Sequence, residues 1–271
     1  MPQYSLLGVL LALLLCGTAQ AAVLETNEWN NKTQTGWQYS SGTNGDGAVI
    51  DTAPAGGAAP SGGSAMKFVY DAGTYAQSIG GGRAEFTNLT GSEIYVGHWA
   101  KWSPNYTWNA VATKLDYIKT AANCTSIAQL CYTTLRTREN GAGLALDVGI
   151  DTPHTRYNNV GGTFNFPRGQ WVWVEWRVKL NTLGSANGIL QVWINDALKV
   201  DYANVQFMSV ATTWKYLQHS PEWGGIGGTI PSTQYYWVDH TVISTTRIGM
   251  PGAPPSGDTT PPTIPSALSI R

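Results

Sequence analysis

The sequence predicts an all-β protein, an antiparallel β-sandwich. Two observations carry that expectation. Short alternating or apolar runs recur along the chain, separated by Gly- and Pro-rich turns, and no stretch keeps a helical period. The second observation is Gln170–Asp201, QWVWVEWRVKLNTLGSANGILQVWINDALKVD, which reads as two long strand arms joined by a polar turn. In the first arm, Trp171–Leu180, residues Val172, Val174, Trp176 and Val178 fall on one face. Trp171, Trp173, Glu175, Arg177 and Lys179 fall on the other. In the second arm, Gly188–Tyr202, Leu190, Val192 and Ile194 oppose Gln191 and Trp193, and Asn195-Asp196 supplies a tight turn within the arm. One face is aliphatic and the other mixes indoles with charge. Such a face either binds sugar or simply covers the surface of the sandwich.

Taken in order, residues 1–21 read as a secretory signal peptide. The apolar stretch Leu6–Cys16 is too short to span a bilayer, and Ala19-Gln20-Ala21 supplies a cleavage pattern. A single domain over 22–250 follows. Val23–Trp37 opens it, and Ser40–Ser64 reads as turns and a long loop. Strand-like runs come next at Ala65–Tyr70, Arg83–Asn88, Glu93–Trp102, Ala112–Ile118, Tyr132–Arg138 and Leu144–Ile150. After the two arms they resume at Tyr216–His219 and Tyr235–Ile243. Residues 251–271 are Pro/Thr-rich and lack core residues, as in a linker or the truncated start of a following module. Two antiparallel sheets wound as a jelly roll accommodate so many short strands.

Composition narrows the function. With 12% charged residues and a net charge of −1, nothing suggests a nucleic-acid partner, which needs a clustered basic surface. No later apolar run is long enough for a membrane helix. Once the signal leaves with Cys16, Cys124 and Cys131 form an even pair at short range. In an oxidising compartment that reads as a local disulfide.

The run Trp173–Val200, WVEWRVKLNTLGSANGILQVWINDALKV, resembles the paired long strands of the concanavalin A-like jelly-roll families. It is especially similar to polysaccharide lyases acting on alginate, glucuronan or heparin-type chains. Tyr235–Ser244, YYWVDHTVIS, resembles their final strand, and Gly81–Phe86, GGRAEF, their arginine-and-glutamate strand. The similarity covers roughly Gly80–Ile248, and DTTPPTIPSALSI in the tail resembles the opening of a fibronectin type III module. The resemblance implies a secreted lyase that cleaves a uronate-containing polysaccharide by β-elimination, acting as a monomer without a catalytic cofactor. A non-catalytic carbohydrate-binding module and a laminin-G-like adhesion domain are the alternatives on the same sandwich.

The residues bear on that choice. The chain holds no G-x-S-x-G elbow and no E-x-D-x-x-E strand, so neither nucleophilic hydrolysis nor paired-carboxylate glycosidase chemistry is indicated. β-Elimination must neutralise the uronate carboxylate, remove the C5 proton and protonate the leaving oxygen. Arg, Lys, His and Tyr are the suitable types. Candidates on strand-like runs are Arg83, His98 (YVGHWAKW), Lys114 (ATKLDY), His219 (YLQHSPEW) and Tyr235 (QYYWVD). Each also has a structural reading: an ion pair of Arg83 with Glu85, a core histidine, a snorkelling lysine, a turn end. The resemblance favours Tyr235 as the catalytic acid. The glutamine-x-histidine pair of some alginate lyases has no counterpart here.

Trp99, Trp102, Tyr106, Trp108 and Trp223 are candidates for stacking on sugar rings, with Trp108 expected to be exposed near its turn. The resemblance also implies a structural Ca²⁺ on Asp239, joined by Glu25 or Glu28.

Overall fold

A computed structural model of the protein describes residues 22–40, 48–54, 58–73, 79–80, 83–109, 112–121, 132–139, 144–150, 155–158, 164–224 and 229–252. For 79–80, 112, 132–139, 144–150, 155–158 and 224 it describes the backbone alone. Cys124, Cys131 and residues 1–21 lie outside the described residues, as does the tail beyond 252.

Among the described residues, sixteen strands, numbered in chain order, form two sheets. Sheet A runs β14 (Ala197–Val205), β13 (Gly188–Ile194), β12 (Trp171–Lys179), β7 (Glu93–Trp102), β16 (Gln234–Ser244), β4 (Ala65–Tyr70) and β3 (Ala48–Asp51), with β1 (Val23–Asn27) also on β16. Sheet B runs β11 (Thr155–Asn158), β10 (Leu144–Ile150), β9 (Tyr132–Glu139), β8 (Ala112–Thr120), β15 (Trp214–Gly224), β6 (Arg83–Phe86) and β2 (Trp37–Ser40), with β5 (Ile79–Gly80) on β15. Neighbouring strands are antiparallel throughout. The expected all-β jelly-roll sandwich is the fold.

Period-two alternation builds the core. Ile94, Val96, Ala100 and Trp102 of β7 face inward with Val172, Val174, Trp176 and Val178 of β12. They meet Leu115 and Ile118 of β8, Leu217 and Trp223 of β15, and Ala84 and Phe86 of β6. The hairpin of β13 and β14 turns at Asn195 (φ 48°) and Asp196 (φ 64°), the positive dihedrals of a type I′ turn, as the Asn-Asp pair predicts.

The outer face of sheet A is covered around Trp173, which removes that indole from any sugar-binding role. Trp173 and Glu175 are fully buried there. The segment after β16 lies over them, and the Ile248 and Gly249 amides donate to the Glu175 carboxylate at 2.7 and 2.9 Å. Gly97 leaves room for the Trp173 ring; a Cβ at Gly97 would stand 2.3 Å from Trp173 Cζ2. Farther along the face, Trp237 and Tyr235 pack with Trp171 and Ala59, and Trp171 Nε1 donates to the Ala58 carbonyl at 3.1 Å.

The aromatic segment after β7 closes one end of the sandwich. Trp102, Tyr106 and Trp108 are buried, with Trp102 and Trp108 rings 5.3 Å apart and Phe166 4.5 Å from Trp102. The expected exposure of Trp108 is therefore overturned, because its turn folds back into the core. Trp223 is also buried, its Nε1 donating to the Thr107 carbonyl at 2.8 Å. Only Trp99 of the proposed stacking residues is partly exposed, and it lies on sheet A against Trp173.

Candidate active site

Among the described residues, the outer face of sheet B carries a group of charged and polar side chains, and two irregularities shape it. In β8, Leu115 is an extra residue relative to β9, since Lys114 pairs with Arg136 and Asp116 with Leu135. In β15, Ser220 and Pro221 lie between His219, paired with Asp116, and Glu222, paired with Lys114. Bulges break strand alternation. Leu115 and Asp116 are consequently both buried, and Lys114 and Tyr117 return to the same outer face. Likewise His219 points inward and Glu222 outward. Proline in an interior strand fits only at such a bulge, since it has no N–H for the ladder.

Glu222 links the groups on that face. Lys114 Nζ donates to Glu222 Oε2 at 2.8 Å, and the Tyr117 hydroxyl donates to Oε1 at 2.9 Å. Lys119 Nζ lies 5.3 Å from the centre of the Tyr117 ring. Burial holds the Lys119 ammonium below its ordinary pKa, partly opposed by Glu85. One strand over, Gln218 donates through Nε2 to the carboxylate of Glu85, which stands beside Arg83 on β6. A shallow cavity of about 450 Å³ continues the face, lined among others by Gln38, Glu85, Asn88, Lys119, Lys215 and Gln218. Lys114, Lys119, Lys215 and Arg83 give the region its positive character.

His98 and His219 are not on this face. Both lie between the sheets, fully buried, with Asp116. His219 Nδ1 is 2.6 Å from Asp116 Oδ1, and its Nε2 is 3.0 Å from Thr241 Oγ1. His98 Nε2 stands 3.4 Å from both Asp116 Oδ2 and the Tyr236 hydroxyl. Burial lowers the His98 pKa to about 4; Asp116 works against that shift and His219 adds to it. These three side chains are the one grouping of metal-ligating type among the described residues. The 2.6 Å contact is a hydrogen-bond length and His219 is already bonded through both nitrogens, so the set reads as a polar network.

The remaining sequence candidates separate. Tyr235 lies on the outer face of sheet A, its ring 5.6 Å from that of Trp237, whereas Arg83 belongs to sheet B. The structure does not bring the two together. Nor does it join Glu25 to Asp239. The Glu25 carboxylate accepts from Gln34 Nε2 at 3.0 Å and Trp37 Nε1 at 3.2 Å. Asp239 accepts from the amide and hydroxyl of Ser61, each at 2.9 Å, and Glu28 is taken by His240 Nδ1 at 2.8 Å. Asp239 and Glu28 nevertheless stand close enough to interact: burial raises the Asp239 carboxyl above its ordinary pKa, and the Glu28 charge adds to that.

Sequence reasoning missed Tyr117 and Glu222. Strict alternation sets Tyr117 opposite Lys114. The signal for the bulge was His-Ser-Pro-Glu, a proline inside a strand-like run.

Residues 131–232 match the family model described as polysaccharide lyase 14, a span that includes Gln218 and Glu222. No curated protein matches the chain. Among solved structures, the alginate lyase vAL-1 from Chlorella virus aligns with a TM-score of 0.62 at 15% identity, over 83% of this chain and 100% of its own. The endo-β-1,4-glucuronan lyase from the fungus Trichoderma reesei gives 0.60 at 14%, over 83% and 96%. The marine PL-14 alginate lyase from Aplysia kurodai gives 0.57 at 15%, over 77% and 90%. This chain shares their fold.

Proposed function

We propose that the protein is a polysaccharide lyase that cleaves a uronate-containing polymer by β-elimination on the outer face of sheet B. The observation that carries the reading is the Lys114–Glu222–Tyr117 arrangement, an ammonium and a phenol on one carboxylate, with Lys119 beside the Tyr117 ring and lining the neighbouring polar cavity. The family match over 131–232 and the shared fold support it. Lys114 takes the substrate carboxylate and neutralises it, which acidifies the C5 proton. Glu222 accepts that proton. The C4–O bond breaks as the C4=C5 double bond forms, and Tyr117 gives its proton to the leaving oxygen. The bond between Glu222 and Tyr117 then returns the proton and restores both groups. Preorganised positive charge from Lys114 stabilises the enolate-like intermediate. The leader-like residues 1–21 favour a secreted protein.

The test is a panel of alginate, glucuronan, heparin and pectate, followed by the ultraviolet absorbance of the new unsaturated uronate. At least one polymer should give a rise. Tyr117→Phe should lower kcat by about 10²–10⁴-fold, the usual worth of general acid–base catalysis. Retained binding with no absorbance rise on any polyanion would reduce the protein to a carbohydrate-binding module.

A further inference from the structure

The two bulges that create the outer face meet at one buried contact. Asp116 directly follows the extra residue of β8, and His219 directly precedes the Ser220-Pro221 bulge of β15, which holds one residue more than β8. They are register partners, and their side chains share the 2.6 Å bond inside the sandwich. We propose that Asp116 and His219 are positioning residues, a clamp that holds the facing bulges in the register presenting Lys114, Tyr117 and Glu222 together. The proposal rests on the functional reading above.

The clamp is anchored from several sides. Thr241 of β16 bonds His219 Nε2 and also accepts from Trp29 Nε1 at 3.1 Å, tying β15 to the opposite sheet. The Trp37 ring stacks on His219 at 6.0 Å with an interplanar angle of 3°. His98 of β7 flanks the second oxygen of Asp116 at 3.4 Å. Apart from Trp37, which is 7% exposed, these groups are fully buried, so Asp116 and His219 do not touch a polymer. Their influence passes through the backbone. Side-chain facing has a period of two, so losing the bulge of β8 places Tyr117 on the face opposite Lys114. Short of that, a shift of about 1 Å in a reacting group costs on the order of 10²-fold in rate.

The experiment compares Asp116→Ala with Asp116→Asn, which keeps an oxygen to accept the His219 proton. Asp116→Ala should lower kcat by about 10²-fold with little change in KM. Asp116→Asn should stay near wild type. A second readout is independent of turnover: the NMR signal of the Tyr117 ring in protein made with isotope-labelled tyrosine, assigned by its loss in Tyr117→Phe. It should move in Asp116→Ala and hold in Asp116→Asn. A purely structural role would lower thermal stability without splitting kcat in this way. A folded Asp116→Ala with unchanged kcat and an unmoved Tyr117 signal overturns the clamp. If Asp116→Ala does not fold, His219→Asn, which keeps a donor, and His219→Leu carry the same comparison. Equal kcat in those two also overturns it. If the wild type cleaves no polyuronate, the functional reading fails, and the Tyr117 signal alone still decides whether the clamp sets the geometry of the face.

Discussion

Glu222 bears on two partners at once, and its replacement separates charge from shape. Glu222→Gln keeps the size and one acceptor for Tyr117 but loses the negative charge beside Lys114. The pair is partly exposed, with side chains 27% and 21% accessible, so its stability worth is small, at most about 1 kcal/mol. The expected outcome is a fall in kcat of about 10²-fold or more with a thermal midpoint almost unchanged. Steady-state kinetics beside a thermal melt checks it, and a large drop in midpoint with normal turnover would reverse the interpretation. Tyr235→Phe should leave turnover as it is, since that phenol lies on the other sheet beside Trp237. Loss of activity there would move the site to sheet A. Lys114 and Arg83 were legible as residues because their chemistry is rare in a chain of 12% charge. Tyr235 stands out only by its likeness to a tyrosine-rich last strand, a feature that fixes the strand but not the face. Tyr117 was hidden because one inserted residue reverses the parity of everything after it.

Strands with clean alternation were legible to the residue. β4, β7 and β10 match the expected runs, and the hairpin of β13 and β14 turns where Asn-Asp predicts. β3, Ala48–Asp51, was not, because its four residues sit inside a Gly/Ala/Pro-rich stretch whose composition reads as loop. For β15 the sequence pattern predicts four residues, Tyr216–His219, whereas the strand has eleven. Its continuation passes through Ser220-Pro221, which sequence rules treat as a stop. The covering of sheet A was equally invisible, since it depends on a segment more than seventy residues from Glu175 in the chain. Gly97 tests that covering. Gly97→Ala drives a methyl group into the buried Trp173 ring, and overpacking of this kind costs about 1–3 kcal/mol. Chemical denaturation should show that loss with activity at low temperature retained, because β7 lies behind the groove. A neutral effect would mean that the Trp173 ring has room to move.

For the whole molecule, the buried polar network sets an acid limit on stability. His98 stays neutral in the fold down to about pH 4, against 6.5 in an unfolded chain. Between those values the unfolded state binds the extra proton, so stability is full above about 6.5 and falls as the pH drops toward 4. The size is on the order of 3 kcal/mol. Unfolding free energies across that range should fall in the wild type and lose most of this slope in His98→Gln. An unchanged slope would assign the effect to other groups. The distribution of the 12 tryptophans has a spectroscopic consequence. All of them lie in the core or on sheet A, and none lines the polar face of sheet B. Intrinsic indole fluorescence should therefore report global unfolding with a large red shift and stay nearly silent when an oligosaccharide fills the groove. Binding isotherms will need calorimetry or a reporter placed on sheet B.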